Sequence, residues 1–284
     1  MANLKQTLLA GDFVAAPGIY DGLSARLADS MDFGALYLSG YATSASLLGK
    51  PDAGYLTATH MADRVRTICE VTGTPLIADA DTGFGGIINV EDTVRAYEAA
   101  GVAAIQLEDQ RFPKRCGHTK NREVLDLDEA TAKIQMAAES RRSDDFLIIA
   151  RTDARTGLGL DEALRRCEAY RDAGADILFL ESPETEEELA SIGQALKGSW
   201  LLANMVEGGS TPILPPEQLQ TLGFSVAIYP LIGLGAAAAA LQGAYNDLLN
   251  GSSDTEKMSF DGLNKTIGFE RIWALDDRFG NKND

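Results

Sequence analysis

The sequence predicts an α/β protein that folds as a closed (β/α)8 TIM barrel with an additional C-terminal helical segment. Short apolar runs alternate with amphipathic segments rich in Ala, Leu, Glu and Arg, which is typical of repeated strand and helix units around a parallel sheet. Eight such units can be counted, whereas an open doubly wound sheet of this length usually has fewer strands. Neither a GxGxxG nor a GxxxxGKS/T phosphate loop occurs in the sequence, which also favours the barrel.

The same alternation places the elements along the chain. The predicted strands are 14–17, 35–39, 76–80, 104–108, 147–151, 177–181, 201–204 and 226–229. Helices are predicted near 21–30, 59–72, 90–100, 128–141, 160–173, 186–196 and 215–222, and a longer one begins at 231. Gly101 and Gly174 precede the fourth and sixth strands, where a helix ends in the left-handed conformation that glycine adopts without a Cβ clash.

Length and composition predict one domain. The chain has 284 residues, 45% of them hydrophobic, and no linker rich in Pro, Gly or Ser divides it. A chain of this size can bury a core without disulfides or structural metals. We therefore expect residues 1–284 to form a single barrel domain, in which 252–284 is a C-terminal helical extension that packs on another subunit.

Charge and cysteine usage exclude several kinds of partner. A formal net charge of −17 repels nucleic-acid backbones and anionic membranes, and no apolar run approaches ~18 residues. A soluble, cytoplasmic protein with a small-molecule partner is expected, without nucleic acid or membrane contacts. Cys69, Cys116 and Cys167 include no CxxC pair, so neither a disulfide framework nor a zinc site is predicted, and Cys69 and Cys167 are interpreted as core residues. His60 is interpreted as part of a first helical turn.

Acidic residues mark the C-terminal ends of two strands, which is where a (β/α)8 barrel carries its active site. Asp79 and Asp81 are two residues apart, so the period of a strand directs both side chains to one face, and Glu108 ends the next strand. Like charges on a buried face repel, and a divalent cation relieves the repulsion. The alternative is that the aspartates only cap the loop or the next helix. Oxygen ligands without clustered His or Cys favour Mg²⁺ over zinc.

A loop with reactive side chains follows the fourth strand. Lys114 and Arg115 precede Cys116, and His118 lies two residues further on. The cations would lower the pKa of the thiol, and a Cys–His pair can donate or accept a proton. The alternative is a solvated basic loop with an incidental cysteine, because no spacing rule makes this segment catalytic.

Further strand ends carry candidates for binding a carboxylate. Arg151 presents a planar fork of donors that suits a substrate carboxylate, and the alternative is a structural ion pair with Asp153 or Glu181. Ser39, Gly40 and Tyr41 follow the second strand, where a hydroxyl and backbone N–H groups can cradle an anion. Asn204 ends the seventh strand.

Four motifs together give the chain a resemblance to a known superfamily. They are Asp79-Ala80-Asp81-Thr82-Gly83, Leu107-Glu108-Asp109-Gln110, Lys114-Arg115-Cys116-Gly117-His118 and Ala150-Arg151-Thr152-Asp153-Ala154. With these motifs in order, the chain resembles the isocitrate lyase and phosphoenolpyruvate mutase superfamily over nearly its whole length. The Lys-Arg-Cys-Gly-His loop marks the lyase branch, and it disfavours phosphorus–carbon bond chemistry.

The resemblance implies a role for each matching residue. Asp81 is the implied direct ligand of Mg²⁺, for which Mn²⁺ can substitute, and Asp79 and Glu108 hold its waters. Cys116 is the implied proton donor to a carbanion, on a loop that closes over the substrate. The catalytic assignments are Cys116, Arg151, His118, Lys114 and Glu108. The substrate-binding assignments are Tyr37, Ser39, Gly40, Tyr41, Asp52, Arg151, Gly117, His118, Glu181 and Asn204.

The implied reaction is a magnesium-dependent retro-Claisen cleavage of a 2-hydroxy dicarboxylate, which releases pyruvate or a similar 2-oxo acid. Met205 and Val206 are apolar where lyases for substrates with an additional carboxylate tend to carry Ser or Thr, so a 2-alkylmalate such as 2,3-dimethylmalate is favoured. The alternatives are 2-methylisocitrate cleavage, oxaloacetate hydrolysis and, more remotely, a non-catalytic carboxylate-binding barrel. A homotetramer with exchanged C-terminal helices is also implied.

Overall fold

Eight parallel strands close into a barrel in the computed structural model, which describes residues 3–115, 117 and 122–280. Each strand pairs with the next, and β1 pairs with β8 to complete the ring. The strands are β1 (Val14–Ile19), β2 (Leu36–Leu38), β3 (Leu76–Asp79), β4 (Ala104–Glu108), β5 (Leu147–Thr152), β6 (Ile177–Leu180), β7 (Trp200–Asn204) and β8 (Val226–Tyr229). The predicted (β/α)8 barrel is confirmed, and every predicted strand is present with its ends within two residues of the expected positions.

Helices surround the barrel and continue beyond it at the C-terminus. They are α1 (Leu4–Leu9), α2 (Gly22–Asp29), α3 (Gly40–Thr43), α4 (Ala58–Val71), α5 (Ile87–Ala100), α6 (Leu127–Ser140), α7 (Ala154–Leu158), α8 (Leu160–Asp172), α9 (Glu186–Ala195), α10 (Pro216–Thr221), α11 (Ile232–Asn250), α12 (Phe260–Ile267) and α13 (Phe269–Phe279), with a π-helical turn at Ser44–Leu48. The predicted helices are all present, including the C-terminal pair. Helices α1, α3 and α7 were not predicted because six residues or fewer leave too little periodicity to recognise.

Local signals explain where the helices begin and end. Thr57 and His60 form a capping box at the start of α4, in which each side chain accepts a hydrogen bond from the other residue's backbone N–H at 3.3 Å. His60 therefore belongs to a first helical turn, as expected. Gly101 and Gly174 have φ angles of 95° and 103°, which confirms the predicted left-handed ends before β4 and β6.

The apolar core has two layers because the strands are buried on both faces. Val14, Ile77 and Phe179 lie in the inner layer, which fills the barrel, and the outer layer packs between the strands and the helices. Leu4 and Leu8 of α1 join the inner layer and are almost fully buried, which contributes about 2 kcal/mol each. Helix α1 therefore closes the N-terminal end of the barrel and leaves the C-terminal end for the site.

The two described cysteines belong to this packing and not to a reactive centre. Cys167 is fully buried in the outer layer, and the half-buried Cys69 packs against the same layer. Burial raises the pKa of the Cys69 thiol to about 11 and raises that of Cys167 as well. Both thiols are therefore protonated and unreactive at neutral pH.

The C-terminal helices expose large apolar side chains. Leu248, Phe260, Trp273 and Phe279 are each at least half exposed, although α12 packs against α2. Large apolar side chains concentrated on the last three helices differ from the singly scattered apolar residues of an ordinary surface. No helix in the described part of the chain combines the length and hydropathy needed to cross a bilayer.

A buried aspartate ties β4, β5 and α8 together behind the barrel mouth. Asp109 directly follows β4, and its Oδ2 accepts hydrogen bonds from Thr152 Oγ1 at 2.7 Å, Tyr170 OH at 2.8 Å and Arg166 Nη1 at 3.0 Å. Its Oδ1 accepts from the backbone N–H of Asp153 at 2.9 Å. Four donors satisfy the buried carboxylate, and in return it fixes the end of β5.

The substitution Asp109→Ala is expected to lower the free energy of unfolding by about 3 kcal/mol, because Arg166, Tyr170 and Thr152 all lose a buried acceptor. Urea denaturation followed by circular dichroism measures the change. Asp172→Ala is the control, since the Asp172 side chain is 72% exposed and its ion pair contributes at most about 1 kcal/mol. Equal stability of the two variants would contradict the anchoring role of Asp109.

Candidate active site

The C-terminal ends of the strands surround a small cavity of about 40 Å³. The lining residues are Tyr37, Ser39, Tyr41, Asp52, Asp79, Glu108, Lys114, Arg115, Gly117, Arg151, Glu181, Asn204, Val206, Ile228, Pro230 and Leu231. All the predicted site residues in the described part of the chain belong to this set, except Gly40 and Asp81. These two residues contact Asp79 but do not line the cavity themselves. Cys116 and His118 lie outside the described residues. The structure therefore brings the described candidates together.

The two aspartates after β3 are held by the backbone around them. Asp79 Oδ1 accepts a hydrogen bond from the Asp81 N–H at 2.9 Å, and its Oδ2 accepts from the Gly40 N–H at 3.2 Å. Asp81 has a φ angle of 48°, a left-handed conformation that costs a non-glycine residue about 1–2 kcal/mol. A Cβ at Gly40 would lie 2.7 Å from Asp79 Oδ2, so only glycine allows this approach.

The N–H groups after β2 are already engaged. Gly40 donates to Asp79, the Ser39 N–H donates to the Ile19 carbonyl, and the Ser39 hydroxyl accepts from the Ala42 N–H at the start of α3. The sequence predicted that the Ser39 and Gly40 N–H groups bind an anion. Because both groups already donate within the protein, they are less available to a bound anion than predicted. Ser39 and the partly exposed Tyr41 still line the cavity.

Lys114 is a buried cation between two carboxylates. Its Nζ lies 2.5 Å from Asp81 Oδ1 and 2.7 Å from Asp52 Oδ1. Burial opposes its charge, but Asp81, Glu108 and Asp52 raise the pKa of Lys114 well above its usual range. Burial, together with Asp79 and Asp52, also raises the pKa of Asp81 to about 7, although Lys114 acts in the opposite direction. The carboxylates around Lys114 carry more negative charge than this one lysine neutralises.

Glu108 is the least satisfied of the acids. Its Oε2 lies 3.5 Å from Arg151 Nε, while its Oε1 is buried and accepts no hydrogen bond. Burial raises the pKa of Glu108 well above the usual range, against the effect of Arg151 and Lys114. A buried carboxylate oxygen without a donor needs an additional partner, such as a cation or an ordered water.

The acids fit a hard cation held through few direct bonds. Asp79, Asp81 and Glu108 supply only carboxylate oxygens, which are the ligands that Mg²⁺ prefers. Among the described residues, no three Asp, Glu, His or Cys side chains lie close enough together to bind one ion directly. This arrangement fits an ion with one or two direct carboxylates and several waters, which is the usual environment of Mg²⁺.

Arg151 is the second buried cation of the site. Its Nε and Nη2 each donate to Asp153 at 2.9 Å, and its Nη1 lies 3.2 Å from Glu181 Oε2. The guanidinium also lies 5.1 Å from the centre of the Phe179 ring. The alternative given for Arg151, an ion pair with Asp153 or Glu181, is therefore present with both acids. Arg151 also lines the cavity.

A chain of neutral groups links β2, β4 and β3 across the floor of the cavity. Tyr37 OH donates to Gln106 Oε1 at 3.0 Å, and Gln106 Nε2 lies 3.5 Å from Asp79 Oδ1. Burial raises the pKa of Tyr37 well above its usual range, so its hydroxyl stays protonated. Gln106 was not among the predicted site residues, although the strand period places it on the same face as Glu108, because a neutral side chain is a weak signal of a site.

The remaining wall is apolar. Val206, Pro230 and Leu231 line the side of the cavity formed after β7 and β8. Of the two apolar residues that the sequence singled out after β7, Val206 faces the cavity, while Met205 is buried and does not line it. The cavity therefore combines three cationic side chains and several acids with a surface that suits an alkyl group.

Comparison with known proteins identifies the family. The sequence profile described as phosphoenolpyruvate phosphomutase matches residues 4–249. The chain is 46% identical over 283 residues to 2,3-dimethylmalate lyase of Eubacterium barkeri, with 98% of this chain and 97% of the relative covered. It is 38% identical over 278 residues to 2-methylisocitrate lyase of Bacillus subtilis (strain 168), with 96% and 91% covered.

Solved structures agree with this relationship. Oxaloacetate acetylhydrolase in complex with 3,3-difluorooxalacetate has a TM-score of 0.94 and 37% identity, over 100% of this chain and 98% of that one. A complex of phosphonopyruvate hydrolase with oxalate and Mg²⁺ has a TM-score of 0.87 and 32% identity, over 98% and 99%. The chain therefore belongs to the phosphoenolpyruvate mutase and isocitrate lyase superfamily. The predicted class of enzyme, a carbon–carbon lyase, is confirmed by the relatives that are named as lyases.

Proposed function

We propose that this chain cleaves the C2–C3 bond of a 2-alkylmalate such as 2,3-dimethylmalate and releases pyruvate and a carboxylic acid. The observation that carries the proposal is a cavity lined both by buried Arg151 and Lys114 and by apolar residues that include Val206 and Leu231. Buried cations suit the two carboxylates of a malate, and the wall suits its alkyl groups. The 46% identity to a protein named 2,3-dimethylmalate lyase supports the same substrate class.

The residues around the cavity bind and orient the 2-oxo acid half of the substrate. Arg151 contacts its oxygens, since guanidinium donors match a planar carboxylate. Tyr37, Ser39, Gly40 and Tyr41 close the β2 side of this half, while Asp52, Glu181 and Asn204 form polar walls on the other sides. All of these groups except the partly exposed Tyr41 are largely buried, and the exclusion of water strengthens each charged contact.

We further propose that Asp79, Asp81 and Glu108 hold Mg²⁺, or Mn²⁺ as a substitute, with Asp81 as the direct ligand. The unpaired Oε1 of Glu108 and the purely carboxylate donor set support a hard cation here. A divalent cation at this position supplies Lewis acidity toward the oxygens of the substrate. The binding of Mg²⁺ named for phosphonopyruvate hydrolase supports the choice of metal.

Cys116 is proposed as the proton donor. When the C2–C3 bond breaks, C2 becomes the carbonyl carbon of pyruvate as its hydroxyl gives up a proton to water, and a proton from water restores the Cys116 thiol over the cycle. The electron pair stays on C3, where the adjacent carboxylate delocalises it, and Cys116 supplies the proton that completes the carboxylic acid product. His118 and Lys114 flank Cys116 in the sequence and are assigned to tuning this transfer.

Two related substrates are second candidates because of the relatives named for them. 2-Methylisocitrate carries one more carboxylate, for which the described residues on the apolar Val206 side of the cavity provide no charged partner. Oxaloacetate is named for a structural relative, and its hydrolysis splits the same kind of bond with water as the nucleophile. A barrel that binds carboxylates without turnover is the remaining alternative.

With Mg²⁺ present, the protein is expected to cleave 2,3-dimethylmalate to pyruvate faster than it cleaves 2-methylisocitrate or hydrolyses oxaloacetate to oxalate and acetate. Coupled lactate dehydrogenase assays measure pyruvate, and direct assay of oxalate covers oxaloacetate. Cys116→Ser should lower kcat at least about 100-fold, because a hydroxyl is a far weaker acid than a thiol. Cys167→Ser is the matched control away from the cavity. Undiminished turnover by the Cys116 variant would remove this residue from the mechanism.

Mg²⁺ is expected to stabilise the protein through Asp81. At a hundredfold excess over Kd, the ion should raise Tm by about 5 °C, and Asp81→Asn should lose this increase. Differential scanning calorimetry with EDTA or Mg²⁺ measures both values without relying on activity. Asp172→Asn is the exposed control and should keep the increase. An unchanged response in the Asp81 variant would place the ion elsewhere.

We also propose that residues 1–284 act as one barrel domain within a homotetramer, in which the 252–284 segment packs on a neighbouring subunit. The exposed apolar side chains of α11, α12 and α13 support this assembly.

Residence in the cytoplasm remains a prediction from the sequence, which cell fractionation would test.

The substitution Trp273→Glu is expected to dissociate the tetramer, because it places a charge in the proposed interface. Light scattering coupled to size-exclusion chromatography measures the number of chains in each particle. Leu9→Glu is the control, since Leu9 is also exposed but lies on α1 at the other end of the barrel. A monomeric parent protein would overturn the assembly.

A further inference from the structure

The backbone next to Cys116 is held on its N-terminal side by Gln110. This glutamine lies two residues beyond β4 and is almost fully buried. Its side-chain Nε2 donates to the Arg115 carbonyl at 2.8 Å, and its Oε1 accepts from the Arg115 N–H at 3.0 Å. The Gln110 side-chain amide therefore both donates to and accepts from the backbone of Arg115, as one residue of a β-sheet does with its partner.

The C-terminal side is held by Ser182. Its hydroxyl lies 2.9 Å from the Gly117 carbonyl, to which it donates, and its backbone N–H donates to Glu181 Oε1 at 2.8 Å. Ser182 is buried and has a φ angle of 60°, which is rare for a residue with a side chain. This conformation lets one residue contact both the loop and Glu181.

Gly117 shows why the position of the loop matters to the site. A Cβ at this residue would lie 2.2 Å from Arg151 Nη2 and 2.9 Å from Glu181 Cδ. The loop backbone is therefore in direct contact with the ion pair that lines the cavity. A small displacement of Gly117 would open a space beside Arg151 and admit water.

We propose that Gln110 and Ser182 are positioning residues that fix the loop backbone at Arg115 and Gly117, the two sequence neighbours of Cys116. They act through the loop and not on the substrate, so they set the rate of proton delivery more than the strength of substrate binding. The proposal rests on the proposed lyase function, in which Cys116 supplies the proton.

The experiment measures two independent properties of Gln110→Glu, Ser182→Ala and Ser182→Gly. The first is kcat and KM for 2,3-dimethylmalate with Mg²⁺. The second is the rate of tryptic cleavage within 114–122, a segment that contains Lys114, Arg115, Lys120 and Arg122 in the sequence. Gln110→Glu keeps the size of the side chain but removes the donor to Arg115, and Ser182→Gly removes the hydroxyl while glycine adopts the positive φ readily.

Each variant is expected to show about a fivefold lower kcat and about fivefold faster cleavage, which is the effect of one lost hydrogen bond, while KM changes less than about twofold. Tm within a few degrees of the parent value shows that the fold is intact. Ser140→Ala and Gln220→Glu are the matched controls, because their side chains donate to the Met136 and Gly11 carbonyls away from the cavity. Both controls should keep the parent kcat and cleavage rate.

Three results would overturn the proposal. The first is an unchanged cleavage rate in all three variants, and the second is a raised KM with the parent kcat. The third is a kcat for Ser182→Gly equal to that of the parent protein, which would show that the Ser182 hydroxyl does not position the loop. If the parent protein itself turns over no substrate, the lyase function fails, and the cleavage rates still decide whether Gln110 and Ser182 hold the loop.

Discussion

The concentration of buried charge at the C-terminal mouth of the barrel is the constraint on which the rest of the site depends. Within the described part of the chain, the buried carboxylates there outnumber the cations that pair with them. The acids are Asp52, Asp79, Asp81, Glu108, Asp153 and Glu181, and the cations are Lys114, Arg122 and Arg151. Charges in such a dry environment interact far more strongly than at the surface, so the excess must be met by protons or by another cation. The raised pKa of Asp81 and the unpaired oxygen of Glu108 both result from this excess of buried negative charge.

The scaffold keeps these groups together because its rigid parts surround the site. The strands are buried on both faces, and α1 fills the opposite end of the barrel, so the strand ends cannot splay. Asp109 adds a polar anchor behind the mouth and fixes the segment that carries Arg151 and Asp153. Asp81 and Ser182 retain positive φ angles, which cost about 1–2 kcal/mol each, and the hydrogen bonds around them account for their persistence.

The same scaffold supports more than one reaction in its relatives, which are named as lyases, hydrolases and a phosphomutase. The barrel and its acidic rim therefore do not select the substrate. Under the proposed function, the substrate is selected by the loops after β7 and β8, where Val206 and Leu231 line the cavity, and by the loop around Cys116. Loops of this kind can change without disturbing the strands that position Arg151 and Asp79.

Sequence reasoning located the acids, Arg151 and the Lys114 loop because each stands at the end of a strand, and strand ends can be recognised from local apolar runs. It did not identify Gln106, Gln110 or Ser182 as site residues. Their partners are up to 69 residues away in the chain, and neutral side chains carry no local pattern of charge. The engagement of the Gly40 N–H by Asp79 was also not foreseeable, since it depends on how closely β2 and β3 approach.

The sequence by itself determined the eightfold alternation, the barrel, the superfamily and the residues that meet at the mouth. These features depend on periodicity and on motifs of adjacent residues, which are local properties. Only the tertiary structure decided which partner each charge takes. Lys114 pairs with Asp52 and Asp81 across 62 and 33 positions of sequence, because barrel closure and loop packing place distant segments within hydrogen-bonding distance.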